Sequence, residues 1–324
     1  MLLAPMGAQA RVFVTRRLPG DALERLLAEH DVEVWPERAP PPRAELLARA
    51  PQLEGLLSLL TDPVDAGLMD AAPNLRAISN YAVGVDNVDV DAATARGIPV
   101  GNTPGVLTES TADIALALML GIARRLAEGE AFVRAGQWST WEPGLMLGRD
   151  LHGATVGIVG YGRIGQAVGR RLEGFGCELL TTSRSGGVSL DELLERSDFV
   201  TLHCPLTPAT RGLIGDDALA RMKPTAYLVN TARGPVVDAD ALARALHAGE
   251  IAGAALDVTD PEPLPGDHPL LDAPNLLVVP HVGSATHATR GRMADIAVDN
   301  LLAGLAGKPM PHSVNEDLLT PQAP

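Results

Sequence analysis

The sequence predicts an α/β protein of two domains, each a parallel sheet flanked by helices. Three observations predict it. Short apolar runs alternate with amphipathic stretches of helical length, as in strand–helix–strand units. The alternation pauses at a long apolar stretch near residues 110–129, then restarts from Thr155 with greater regularity. Finally, 324 residues exceed one domain of about 100–200 residues.

The first ten residues read as a loose tail. Ala8-Gln9-Ala10 imitates a leader-cleavage site, but no charged segment precedes it and Pro5 and Gly7 interrupt the apolar run. Strands are then expected at Val12–Thr15, Val32–Trp35, Leu56–Leu59 and Ala77–Asn80, with helices at Asp21–Glu29 and Arg43–Ala50. Ala39-Pro40-Pro41-Pro42 is a turn between units. A helix over Ser110–Gly129 opens the second domain, with Thr108 or Ser110 as its cap and Asp113 completing a capping box. Further strands are expected at Val156–Val159, Glu178–Thr182, Phe199–Leu202, Tyr227–Asn230, Ala254–Asp257 and Leu276–Val279. The matching helices are Ile164–Phe175, Leu190–Arg196, Asp216–Arg221, Ala239–Ala248 and Thr286–Gly304. The last of these lies beyond the strands and can carry the chain back to the first domain. The domains expected are residues 1–107 with 290–324, and 108–289.

Composition narrows the function. The hydrophobic share of 46% excludes a disordered or fibrous chain. A net charge of −14 argues against a nucleic-acid or anionic-membrane binder, which needs a broad cationic face. No unbroken apolar stretch reaches the roughly 18 residues of a membrane span. Only Lys223 and Lys308 are lysines, which disfavours Schiff-base chemistry. The other cations are arginines, suited to carboxylate and phosphate. Cys177 and Cys204 form neither a disulfide framework nor a CxxC metal motif. Buried, reduced thiols in a cytoplasmic protein, with no metal site, are the expectation.

Gly160-Tyr161-Gly162-Arg163-Ile164-Gly165 fits GxGxxG between an expected strand and helix, the context a dinucleotide site requires. The domain around it therefore reads as Rossmann-like. Gly160 permits the tight turn, Gly162 lets backbone approach a pyrophosphate, and Gly165 lets helix and strand close up. The helix N-terminus offers free N–H groups to phosphate. At the end of the next strand, where a carboxylate would hold the ribose of NAD, stand Ser183, Arg184 and Ser185. An arginine between two hydroxyls suits a 2′-phosphate, so NADPH is expected over NADH.

Three later loops follow strands and carry polar residues. They are Asn230-Thr231-Ala232-Arg233-Gly234, Asp257 to Pro263 with Glu262, and Pro280-His281-Val282-Gly283. Ligands of open α/β sheets bind beyond the carboxyl ends of the strands, so all three converge on the edge that holds the glycine loop.

With these motifs the sequence resembles the D-isomer-specific 2-hydroxyacid dehydrogenases over almost the whole chain after Arg11, and within them the glyoxylate/hydroxypyruvate reductases. Asn102 to Asp113 and the Trp138/Trp141 segment add to the likeness. The resemblance implies two Rossmann-like domains with the active site in the cleft between them. It implies that Arg233 holds the substrate carboxylate and that His281 protonates the carbonyl oxygen. Glu262 would hydrogen-bond His281 and favour its charged form. Backbone N–H groups of Val83 and Gly84 would grip the carboxylate, Gly84 supplying conformational freedom. Cys204 and Pro205 would line the adenosine pocket. Thr108, Thr231, Ala232, Asp257 and Gly283 would approach the nucleotide, Thr108 serving equally well as a helix cap. Trp141 would reach the active site of a neighbouring subunit, or simply pack in an interface. A homodimer is implied, and the long apolar helix agrees with one. Other dehydrogenases of the family, for phosphonate or 3-phosphoglycerate, and a nonenzymatic dinucleotide-sensing corepressor remain as alternatives.

Overall fold

The structure is a computed structural model that describes residues 9–315. The chain divides into two compact units, one running to Leu107 and resuming at Thr286, the other spanning Thr108–Ala285. The division before Thr286 falls where that residue caps the last helix, its side chain accepting from the Thr289 N–H.

The first unit begins β1 (Arg11–Val14), α1 (Ala22–Glu29), β2 (Asp31–Val34), α2 (Arg43–Arg49), β3 (Gly55–Leu59), α3 (Ala66–Ala71), β4 (Ala77–Tyr81), α4 (Val90–Ala95) and β5 (Val100–Gly101). Its five strands are parallel in the order β2-β1-β3-β4-β5. Both faces of such a sheet are covered, so neighbouring residues of one strand must both be apolar. Phe13, Leu56, Ile78 and Val100 fill one face, and Val12, Val14, Leu57 and Ala77 the other. The tail expectation falls almost entirely outside the described residues. Its last residue, Ala10, is instead buried and joins the core, its carbonyl accepting from the Asp31 N–H. The pattern did not suggest α3, α4 or β5. All are short, and each of the two helices is announced only by its cap, Asp65 and Asp89.

The second unit opens with α5 (Thr108–Ala123) and α6 (Leu126–Arg134). One helix was expected here. The Ala123 carbonyl accepts from the Arg149 N–H rather than from the next helical turn, and Arg125 turns left-handed at φ 52°. Ser110 is not a cap, since the helix already runs from Thr108; Asp113 pairs with Arg171 at 2.7 Å. Then follow β6 (Thr155–Val159), α7 (Arg163–Glu173), β7 (Glu178–Ser183), β8 (Gly186–Gly187), α8 (Leu190–Arg196), β9 (Phe199–Leu202), α9 (Asp216–Arg221), β10 (Tyr227–Asn230), α10 (Ala239–Ala248), β11 (Gly253–Leu256) and β12 (Leu276–Val278). The sheet order is β12-β11-β10-β9-β6-β7-β8, parallel except for the two-residue β8, which turns back along β7. Strand order reverses between β6 and β9, where a doubly wound sheet opens its binding crevice. The chain then returns to the first unit in α11 (His287–Leu305), which packs on β3, β4 and α1. No helix among the described residues is long and apolar enough to cross a membrane.

Candidate active site

The glycine loop follows β6 beside the reversal of strand order. Gly160 has φ 94°, and a Cβ there would lie 2.5 Å from the Cys204 nitrogen, so only glycine lets the loop pass the end of β9. A Cβ on Gly165 would lie 2.3 Å from the Gly160 carbonyl, which is why α7 can close onto the strand. Gly162 meets nothing within 4 Å, so its backbone is open to approach. It also takes the N-cap position, which leaves the first N–H groups of α7 without a side-chain cap. Tyr161 lies along α7, its hydroxyl 3.0 Å from where a Cβ on Gly169 would stand; Arg163 is exposed and Ile164 half-buried.

The Gly160 N–H donates to the Thr182 carbonyl at 2.8 Å, which sets the end of β7 next to the loop. There Ser183, Arg184 and Ser185 make the turn into β8. The Ser183 hydroxyl lies 2.9 Å from that of Ser185 and 3.1 Å from the Gly186 carbonyl. No carboxylate stands in this turn. Glu178 starts β7 at the far end of the strand and pairs with Arg196.

Across the reversal, Cys204 is buried behind β9 and Pro205 is exposed. Burial pushes the Cys204 thiol up, so it stays neutral. Cys177 is only half-buried, its thiol donating to the Leu151 carbonyl, against the expectation of two buried thiols. His203 had no assigned role. Its two ring nitrogens lie 2.9 Å from the Thr201 hydroxyl and 3.2 Å from the Thr231 hydroxyl. Burial pushes its imidazole down to about 3, so it is a neutral link between two loops.

The next loops come from adjacent strands. Asn230, fully buried at the end of β10, donates to the Arg233 carbonyl at 2.9 Å and accepts from the Ala232 N–H at 3.0 Å. A Cβ on Gly234 would overlap the Thr259 carbonyl at 1.9 Å, so the Arg233 loop is pressed against the loop after β11. In that second loop the Thr259 hydroxyl donates to the Pro261 carbonyl at 2.8 Å. Glu262 Oε1 then lies 2.6 Å from Nδ1 of His281, the residue that follows β12. Both side chains keep about a quarter of their surface exposed, 29% and 26%. His281 is itself left-handed at φ 53°, a conformation its neighbours must hold. Asp257 does so. Its carboxylate accepts from the Val282 N–H at 2.6 Å and the Gly283 N–H at 2.9 Å, and its carbonyl from the His281 N–H. A Cβ on Gly283 would lie 2.9 Å from that carboxylate. Burial raises the Asp257 carboxyl above its ordinary range despite these bonds.

Three groups, Arg233, Glu262 and His281, thus follow three neighbouring strands of one sheet, two of them in direct contact. Comparison of the whole chain gives its family. The family model for the D-isomer specific 2-hydroxyacid dehydrogenase NAD binding domain matches residues 116–283. The glyoxylate reductase of Korarchaeum cryptofilum is 48% identical over 97% of this chain and 98% of its own. The chain belongs to the D-isomer specific 2-hydroxyacid dehydrogenase family.

Solved structures superpose closely on this chain. A Thermus thermophilus protein is 51% identical with a TM-score of 0.90, over 94% of this chain and 99% of that one. An NADPH-dependent glyoxylate/hydroxypyruvate reductase of Sinorhizobium meliloti, solved with NADP and malonate, is 36% identical with a TM-score of 0.85, over 98% and 100%. Among the other expected residues of this dehydrogenase, Thr108 opens α5, and Thr231 and Ala232 are nearly buried before Arg233. Val83 and Gly84 lie in the loop after β4, where Gly84 is not among the left-handed glycines, so conformational freedom is not what the fold uses there. Trp141 is 77% exposed and Trp138 59%, and neither joins a hydrophobic cluster. Sequence reasoning gave Asn230 and His203 no role. Each is a polar residue closing an apolar strand, a signal that points to the loop beyond it.

Proposed function

We propose that this dehydrogenase is an NADPH-preferring reductase of small 2-oxo acids, glyoxylate and hydroxypyruvate first, yielding the D-2-hydroxy acid. The observation that carries the reading is the 2.6 Å contact of Glu262 with His281, next in the sheet to the Arg233 loop. The glyoxylate reductase relatives, 44–48% identical, support the substrate class. The open backbone at Gly162, the uncapped start of α7 and the Ser183-Arg184-Ser185 turn fit a dinucleotide with a 2′-phosphate.

Residues of the glycine loop and the Ser183-Arg184-Ser185 turn would hold a reduced nicotinamide dinucleotide, which when bound would be the source of hydride for the carbonyl carbon. Arg233 pairs with the substrate carboxylate, joined by the N–H groups of Val83 and Gly84, and draws charge toward the carbonyl oxygen. With Nδ1 of His281 committed to Glu262, Nε2 is the nitrogen that presents a proton to that oxygen. The carbonyl oxygen, still bonded to its carbon, becomes the hydroxyl of the product, and His281 is left neutral, to be reprotonated from water. Thr108, Cys204, Pro205, Thr231, Ala232 and Gly283 line the nucleotide, and Asp257 acts on it through the His281 loop. A homodimer in a reducing cytoplasm completes the reading. The exposed run of Leu126, Val133, Trp138, Trp141 and Leu147 is its interface, and Trp141 its contribution to the partner.

The test is oxidation of NADPH and of NADH by the purified protein with glyoxylate, hydroxypyruvate, pyruvate and bulkier 2-oxo acids. Faster turnover of the first two substrates with NADPH is expected. A wide margin for NADH would overturn the nucleotide assignment, and preference for bulky acids the substrate assignment.

A further inference from the structure

We infer that Asn102 and Asn80 are positioning residues that set the recognition of the substrate's carboxylate. They act by turning three consecutive peptide groups after β4. The inference rests on the proposed 2-oxo acid reductase function and adds to it the device that aims the anion-binding loop.

The carbonyls of Ala82, Val83 and Gly84 are all taken up by the first unit itself. Ala82 accepts from the Thr103 N–H at 2.8 Å, Val83 from Nδ2 of Asn102 at 2.8 Å, and Gly84 from Nδ2 of Asn80 at 3.0 Å. A trans peptide points its N–H opposite to its carbonyl. Fixing these three carbonyls therefore turns the N–H groups of Val83, Gly84 and Val85 away from the donors that hold them. Among the described residues no group accepts from those three N–H groups. Consecutive unpaired N–H groups form a concavity for an anion.

The clamps are rigid because they are themselves held. Asn80 is fully buried, with its second amide hydrogen on Oδ1 of Asn87 at 3.0 Å and its own Oδ1 accepting from the Ser58 hydroxyl at 3.0 Å. The Asn87 amide is bound in turn by the carbonyls of Leu59 and Asp62, both at 2.9 Å. Asn102 is fixed along its backbone. Its N–H donates to the His312 carbonyl at 3.1 Å, and its carbonyl accepts from Nδ2 of Asn300, a fully buried residue of α11, at 2.9 Å. The returning C-terminal segment thus locks the residue that orients Val83. Left-handed backbone at Gly84 is not needed when the carbonyls are gripped from behind.

The test compares wild-type protein with Asn102→Ala and with the isosteric Asn102→Asp, which keeps the shape but replaces the donor with acceptors. KM for glyoxylate, kcat, and NADPH affinity by fluorescence are measured on each. Losing this hydrogen bond is expected to raise KM roughly tenfold in Asn102→Ala, and further in Asn102→Asp. Values of kcat are expected to stay within about threefold, with NADPH affinity unchanged, since the glycine loop belongs to the other unit. Unchanged KM in both variants, or KM and NADPH affinity worsening together, would overturn the inference while wild-type turnover stands. Absence of wild-type turnover with any 2-oxo acid would overturn the functional reading and this inference with it.

Discussion

At the scale of single residues, the site is built from polar groups that close apolar strands. Asn80 is the penultimate residue of β4 and Asn230 the last of β10, and each braces the loop that follows. His203 does the same while staying neutral, and that has a consequence for pH. In the unfolded chain a histidine takes up a proton near pH 6.5 or so, whereas folded His203 resists one down to about 3. The unfolded state therefore binds the extra proton, and the His203 contribution is present above about pH 6.5 and lost as pH falls toward 3. The melting temperatures of wild-type protein and His203→Gln should differ most near neutrality and converge in acid. Parallel curves at all pH values would show that His203 is not the titrating group.

At the scale of elements, most of the strands were legible because buried parallel strands are continuous apolar runs. Their ends moved by only a residue or so, as at Arg11–Val14 and Gly253–Leu256. What was not legible depended on contacts distant in sequence. The break between α5 and α6 comes from Arg149 taking the Ala123 carbonyl, and β5 exists because α11 and the C-terminal segment hold it. The fit of β5 on α11 is tight. A Cβ on Gly101 would lie 2.7 Å from Cβ of Asn300. Gly101→Ala is expected to cost about 1–3 kcal/mol in urea unfolding, the usual penalty for overfilling a packed site. An unchanged unfolding midpoint would mean that the strand yields freely.

The motifs of the candidate site were also legible, because GxGxxG and the Arg, Glu and His loops are local in sequence. The left-handed His281 and the hold of Asp257 on its loop were not, because both depend on backbone hydrogen bonds that no side-chain pattern encodes.

At the scale of the whole molecule, the charge of −14 sharpens what the protein can attract. Its proposed ligands are anions, so attraction must be local, through Arg233, Arg184 and backbone N–H groups. Five of the large apolar side chains exposed among the described residues lie between Leu126 and Leu147, the stretch proposed above as the interface. Sedimentation equilibrium is expected to give twice the mass of the 33.9 kDa chain, and Leu147→Asp to lower it. A monomer at high concentration would remove the homodimer from this account.

The central claim is that His281, held by Glu262, supplies the proton in reduction of a 2-oxo acid. It is tested most directly by the kcat of His281→Ala for glyoxylate with NADPH. A fall of about 10²–10⁴-fold is expected, with nucleotide affinity retained. Activity close to that of the wild-type protein would contradict it.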